Sequence, residues 1–266
     1  DLAHQLPVRV GVIDTARGYQ FVVVFHHIAF DGLSIAPLVR DLREAFVARV
    51  NGGAPQWQPL PIEYGDFARW QYLLADQEAR ELAYWKSALD GMPHMVDLPA
   101  DHARPHTGPL RATQAPITLP ARTVEQLEKI ASSTNTTLFM VLHAALAVAV
   151  HKITGADDFA IGAPTAGRYD PVLDDLVGTF VGTVALRSHI TPDATFAQVL
   201  SATRETVLAA FAHAEVPFDR VATALDPVRD ATRHPLFQVI FAFDNYDTDV
   251  PSDIEGLPVR IEEHPL

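Results

Sequence analysis

The stretch Phe21-Val22-Val23-Val24-Phe25-His26-His27-Ile28-Ala29-Phe30-Asp31-Gly32 decides how this chain is read. Its first five residues are an apolar, β-branched and aromatic run, which predicts a buried strand. A polar, titratable cluster follows at the strand end, where a fold can present a base. Neutral imidazole accepts a proton near physiological pH, since its unperturbed pKa is about 6.5. On a continuing strand the adjacent His26 and His27 would point to opposite faces, so only one would look into a given cavity. Asp31 lies four residues beyond His27. It would orient an imidazole, as in a triad, or fix the loop by pairing with an arginine. Gly32 allows a tight loop and close backbone approach to a substrate. On spacing alone the cluster reads as packing or as catalysis.

Upstream, Val8 to Ile13 alternates as a strand, Gly18 marks a turn, and Gln20 to Phe25 completes a hairpin. Downstream, Ser34 suits an N-cap and Pro37 a first helical turn, and Leu38, Leu42, Ala45, Phe46 and Val50 recur at helical spacing until Asn51-Gly52-Gly53. Ser34 is near the histidines, but no GxSxG elbow marks it as a nucleophile. Residues 54–61 carry three prolines and predict an extended linker between two lobes, 1–53 and 62–266. Helices are predicted over 66–74, 77–89, 123–132, 137–153 and 196–213, and strands over 115–119, 159–162, 180–186 and 236–243. Residues 91–109, with four prolines, read as irregular. The mixture gives an α/β (α+β) class, with two lobes.

The chain of 266 residues is 48% hydrophobic, enough for one large or two smaller cores. Twenty Lys and Arg against 33 Asp and Glu give a formal charge of -13, a poor balance for neutralising phosphates, so no nucleic acid partner is expected. The absence of cysteine excludes disulfides, thiolate metal sites and Cys nucleophiles, and is compatible with a reducing cytoplasm. Leu138 to Val150 is too short to span a bilayer, which takes about 20 residues, so no membrane is expected. The twelve histidines are scattered without an HExxH, so no metal is expected. No GxGxxG or Walker pattern suggests a nucleotide cofactor.

The His26 to Gly32 cluster is the pattern HHxxxDG, and other segments extend the likeness. Tyr64-Gly65-Asp66-Phe67-Ala68-Arg69-Trp70 resembles Y-x-D-F-A-x-W, and Tyr84-Trp85 with Leu98-Pro99-Ala100-Asp101 resembles YW…LPxD. Val177 to Thr183, with Arg187, resembles VGxFVNTxxxR. His213 to Asp219 resembles HQDVPFE, and Arg229 to Val239 resembles RDxSRNPLFQV. In that order, over nearly the whole chain, these segments resemble the condensation domains of nonribosomal peptide synthetases, in the chloramphenicol acetyltransferase-like superfamily.

The resemblance implies a two-layer sandwich, a partly truncated pseudo-dimer of two acetyltransferase-like lobes around a tunnel. Donor and acceptor peptidyl carrier proteins bring substrates as thioesters on phosphopantetheine arms, and an adenylation domain is a neighbour. The implied reaction is peptide bond formation, in antibiotic or siderophore assembly, with no cofactor bound by the domain itself. His27 and Gly32 are the implied catalytic residues. His26, Asp31 and Arg187 are implied structural supports of the motif. The family pattern extends before His26 and beyond Leu266, so the chain reads as a fragment. The fragment is expected to expose sheet edges and apolar surface, and to be inactive alone. Gly182 stands for the usual Asn, Ala214 for Gln, Glu215 for Asp, and Leu33 where Trp is frequent. The rival readings are an epimerisation domain, a non-catalytic recruitment domain and a coenzyme A acyltransferase. Epimerisation domains usually continue V-S-W after the glycine, where this chain has Leu33-Ser34-Ile35. Recruitment domains typically lose the second histidine or the glycine, and both are present.

Overall fold

A computed structural model describes residues 1–16, 18–73, 75–102, 112–225, 233–244, 253–254 and 257–258. In chain order the elements are β1 (Val8–Thr15), β2 (Gly18–Phe25), α1 (Ile35–Val50), α2 (Tyr64–Leu73), α3 (Ala75–Ala88), α4 (Ala121–Ser133) and α5 (Leu138–Thr154). They continue with β3 (Asp158–Thr165), β4 (Gly182–His189), α6 (Phe196–Ala212), α7 (Phe218–Leu225) and two short strands, β5 (Asp253–Ile254) and β6 (Leu257–Pro258). Three 3-10 turns, His27–Ala29, Gly32–Ser34 and Pro171–Leu173, complete the set. The α/β class expected from the sequence is therefore present. No single helix among the described residues is long and apolar enough to cross a membrane.

The chain forms two compact units. The first comprises residues 1–75, 166–181 and 244–266, and the second 76–165 and 182–243. Residues 54–61 have no regular element, as their prolines require, and lie within the first unit.

In the first unit β1 and β2 pair antiparallel from Val8↔Phe25 to Thr15↔Gly18. Gly18 takes φ +117 at the turn, a conformation that glycine alone adopts freely. Val10, Val12, Phe21, Val22 and Val24 are exposed, which corrects the expectation of a buried strand over Phe21 to Phe25. The physical reason is that a two-stranded ribbon has two faces, and among the described residues little covers them beyond a half-buried Val23 and Phe25. The apolar core of this unit is small: Phe67, Leu173, Leu176 and Phe180, with Ile62 and Val172 against it.

In the second unit β3 and β4 pair antiparallel from Asp158↔His189 to Thr165↔Gly182. Phe159, Ala160, Ile161, Val184, Ala185 and Leu186 are all buried, so this hairpin is a core element. Helices α4, α5 and α6 pack in sequence, and α6 also lies on β4. Their ends follow local chemistry. Thr137 caps α5 through the Met140 N–H, Gly155 ends it at φ 71, and Thr195 with Gln198 forms a capping box on α6. Helix α5 is buried along Met140, Val141, Ala144, Ala147 and Val150, as its apolar composition predicts.

Several expected elements differ. Residues 115–119 form no strand, because nothing among the described residues pairs with them, and Ile117 is exposed. The strand expected over 236–243 is reduced to a parallel bridge, Gly162↔Ile240. There the Gly162 N–H donates to Val239 O at 2.9 Å and the Phe241 N–H to Gly162 O at 2.8 Å. The Phe237 ring sits where a Gly162 Cβ would be, so this contact needs glycine. Helix α7 begins at Phe218, where Pro217-Phe218 reads from the sequence as a packed helix start. Residues 103–109 of the expected irregular stretch, Leu74 of an expected helix, 229–232 of the Arg229 to Val239 likeness, and 264–266 lie outside the described residues.

Candidate functional site

Strand β2 ends at Phe25, and the His26 N–H makes a closing bond to Pro7 O at 2.7 Å. The chain then turns into 3-10 geometry, so strand alternation does not set the two imidazoles. Their backbone partners do. The Ile28 N–H donates to His26 Nδ1 at 3.1 Å, which makes His26 the cap of the first 3-10 turn. His27 Nδ1 lies 2.7 Å from Phe30 O. A carbonyl only accepts, so His27 Nδ1 carries the proton and Nε2 is left basic. His26 has the opposite arrangement: its Nδ1 accepts, so the neutral ring carries its proton on Nε2. Two adjacent histidines are thus set in opposite tautomers, and only His27 has a basic Nε2. The Phe25 and Phe30 rings stack at 4.2 Å and close the turn.

Asp31 follows and is buried, as is Ser34. Asp31 caps the second 3-10 turn, with Oδ1 accepting from the Ser34 N–H at 3.0 Å and from Ser34 Oγ at 2.7 Å. Its Oδ2 accepts from the Phe180 N–H at 2.9 Å, and Arg168 Nη2 stands 3.3 Å from Oδ1. A buried carboxylate needs such a shell of donors. Gly32 opens the second turn without a positive φ. Ser34 makes no side-chain cap on α1. Its hydroxyl faces Asp31 Oδ1 and Gly178 O and accepts from the Gly178 N–H at 3.1 Å and from Arg168 Nη2 at 3.1 Å. A hydroxyl so engaged and without solvent access is not a nucleophile.

Arg168 also donates to Leu173 O and lies over the Phe180 ring, 4.1 Å from its centroid. Gly167 precedes it at φ +67, and a Cβ there would collide with Phe180 O. Residues 167–180 thus form a cradle for the Asp31 loop. The sequence points to an arginine for Asp31 without indicating which one.

Arg187, expected to support the motif, makes its hydrogen bonds elsewhere. Its Nε and Nη2 hold Asp158 at 2.8 and 2.7 Å, and its Nη1 donates to Ala88 O at 3.0 Å and Asp90 O at 2.9 Å. Asp158 is the main reason its pKa is raised. Arg187 ties the end of α3 to the β3–β4 hairpin, because its bidentate partner Asp158 lies on the neighbouring strand. Among the described residues no group of three or more His, Asp or Glu is placed to hold a metal ion.

A family model described as Condensation domain matches residues 1–260. The chain is 40% identical over 270 residues to a probable non-canonical nonribosomal peptide synthetase, CymA, of Salinispora arenicola, covering 98% of this chain and 4% of that protein. It is 42% identical over 272 residues to an isonitrile lipopeptide synthase of Mycobacterium tuberculosis, covering 98% of this chain and 11% of that protein. The chain therefore spans a small part of these relatives. Among solved structures it is similar to the X-domain from teicoplanin biosynthesis, with a TM-score of 0.84 and 28% identity over 90% of this chain and 55% of that one.

Proposed function

The chain belongs to the condensation-domain family, and from that premise we propose that it forms an amide bond between two carrier-bound thioesters. The acceptor amine attacks the donor thioester carbonyl. A C–N bond forms, the C–S bond breaks, and the donor arm leaves as a thiol once its sulfur is protonated. The observation that carries this reading is the tautomer of His27. With Nδ1–H held by Phe30 O, its Nε2 lone pair accepts the amine proton in the transition state, or orients the amine and stabilises the charged tetrahedral intermediate. Gly32, at the start of the next turn, lets the backbone come close to the thioester. His26 and Asp31 support the loop, with Arg168 as the arginine that holds Asp31.

On this reading the partners are donor and acceptor peptidyl carrier proteins, with an adenylation domain alongside. The phosphopantetheine arms belong to the carriers, so the domain itself binds no cofactor.

A second reading has one observation in its favour. The likeness to the teicoplanin X-domain, together with a structure described as a complex of that domain with OxyB, suggests recruitment of a partner enzyme. The intact His27 and Gly32 weigh against it. The test uses the intact protein that carries this chain, with donor and acceptor carriers loaded, and compares wild type with His27→Ala. Amide product lost in the variant supports condensation. Isomerised thioester without a new bond means epimerisation, and no turnover by wild type favours recruitment.

A further inference from the structure

We propose that Tyr64 and Thr179 are positioning residues that hold the backbone of His27, so that its imidazole is presented in one orientation. The inference rests on the proposed role of His27 and extends it to two residues with no assigned part.

Three consecutive residues, Gly178, Thr179 and Phe180, run beside the histidine loop, and each makes a bond to it. The Gly178 N–H and O both meet Ser34 Oγ, the Phe180 N–H meets Asp31 Oδ2, and the Thr179 hydroxyl donates to His27 O. The last of these is the one contact that reaches His27 itself. It holds the carbonyl that begins the 3-10 turn, three residues before the Phe30 carbonyl that fixes the ring.

Tyr64, at the start of α2, clamps the same strip from its other side. Its hydroxyl donates to Thr179 O at 2.7 Å. Its ring fills the space of a Gly178 side chain and meets Phe180 edge-on at 5.2 Å. Burial, and then the nearby Asp31 charge, raise the Tyr64 pKa, so the phenol remains a donor. One residue supplies both the apolar wall and the hydrogen bond. Phenylalanine would keep the wall and lose the bond. Thr179 is therefore held at its carbonyl by Tyr64 while its own hydroxyl holds His27. Hydrogen bonds in series polarise one another.

The test uses Tyr64→Phe, Thr179→Val and Thr179→Ser in the intact protein that carries this chain. The first readout needs no turnover: diethyl pyrocarbonate labelling of His27 against His26, resolved by mass spectrometry. This reagent attacks an unprotonated imidazole nitrogen, and both histidines are exposed. Loss of the tether is expected to raise His27 labelling about two- to tenfold, the range one hydrogen bond supplies. This rise is expected in Tyr64→Phe and Thr179→Val, with His26 unchanged and Thr179→Ser rescued. The second readout is amide formation, where kcat is expected to fall by a similar factor at constant KM. Unchanged His27 labelling in both bond-deleting variants overturns the proposal. So does a parallel rise at His26, which would mean general loosening, or a failure of serine to rescue. If wild type makes no amide while the labelling pattern holds, the condensation reading fails and the positioning role stands.

Discussion

Asp31 Oδ1 stands 3.3 Å from Arg168 Nη2, and each side chain is only 4% exposed. The two residues are 137 positions apart, and their pairing joins the histidine loop to the returning segment 166–181. Removing one member of a buried ion pair leaves the other uncompensated, at a cost of roughly 3–5 kcal/mol. Asp31→Ala and Arg168→Met are each expected to lose about that much stability. The double variant is expected to lose less than the sum by about 0.5–3 kcal/mol. Urea unfolding read by tryptophan fluorescence measures the cycle, and strict additivity would show that the pair is not coupled.

Gly167 and Gly52 offer a matched contrast. Both have positive φ, +67 and +76, but a Cβ on Gly167 would run into Phe180 O, whereas nothing lies within 4 Å of one on Gly52. Gly52→Ala is expected to cost about 1–2 kcal/mol, the strain of the left-handed backbone. Gly167→Ala adds a backbone collision and is expected to cost on the order of 4 kcal/mol or more. Equal losses in thermal or urea unfolding would mean that the segment yields freely at Gly167.

His143 sets a pH dependence in the second unit. It is 1% exposed on α5, beside the Phe139 and Phe241 rings, and neither ring nitrogen has a hydrogen-bond partner among the described residues. Burial pulls its pKa down to about 4, so it is neutral in the folded chain at pH 7. Below about 6.5 the unfolded chain takes up a proton that the folded chain refuses. Stability should therefore fall as pH drops from about 6.5 towards about 4, by an amount on the order of 3 kcal/mol. His143→Leu is expected to remove that part of the slope and to be at least as stable at pH 7. An unchanged slope in denaturation midpoints between pH 7 and pH 4.5 would show that His143 does not carry it.

Local chemistry made much of this fold legible. Helix α1 announces its end through Asn51-Gly52-Gly53, α5 shows itself as an almost wholly apolar run, and α6 as an amphipathic one. Pairing partners are less visible. Val239 and Phe241 look like strand residues, yet the described contact is one bridge to Gly162, and no local pattern reports how many rungs a partner supplies. Likewise Phe21 to Val24 is apolar enough for a core, and composition does not say whether anything covers it.

The site divides in the same way. His26, His27, Asp31 and Gly32 are contiguous and could be read together. Arg168, Gly178 and Thr179 join them across more than 130 residues, so only tertiary structure selects Arg168 as the partner of Asp31. The opposite tautomers of the two histidines come from Phe30 O and the Ile28 N–H, and backbone direction of that kind is not written in residue type.

The proposed function gives the chemistry to His27 and not to its neighbour. It is tested by single-turnover amide formation from loaded donor and acceptor carriers, comparing His26→Ala, His27→Ala and wild type in the intact protein. A base or orienting group in the transition state is worth about 10²–10⁴-fold, so His27→Ala should lose about that much in rate. His26→Ala, which loses only a turn cap, should keep a rate within about tenfold of wild type. Wild-type rates in His27→Ala, or a greater loss in His26→Ala than in His27→Ala, would contradict it.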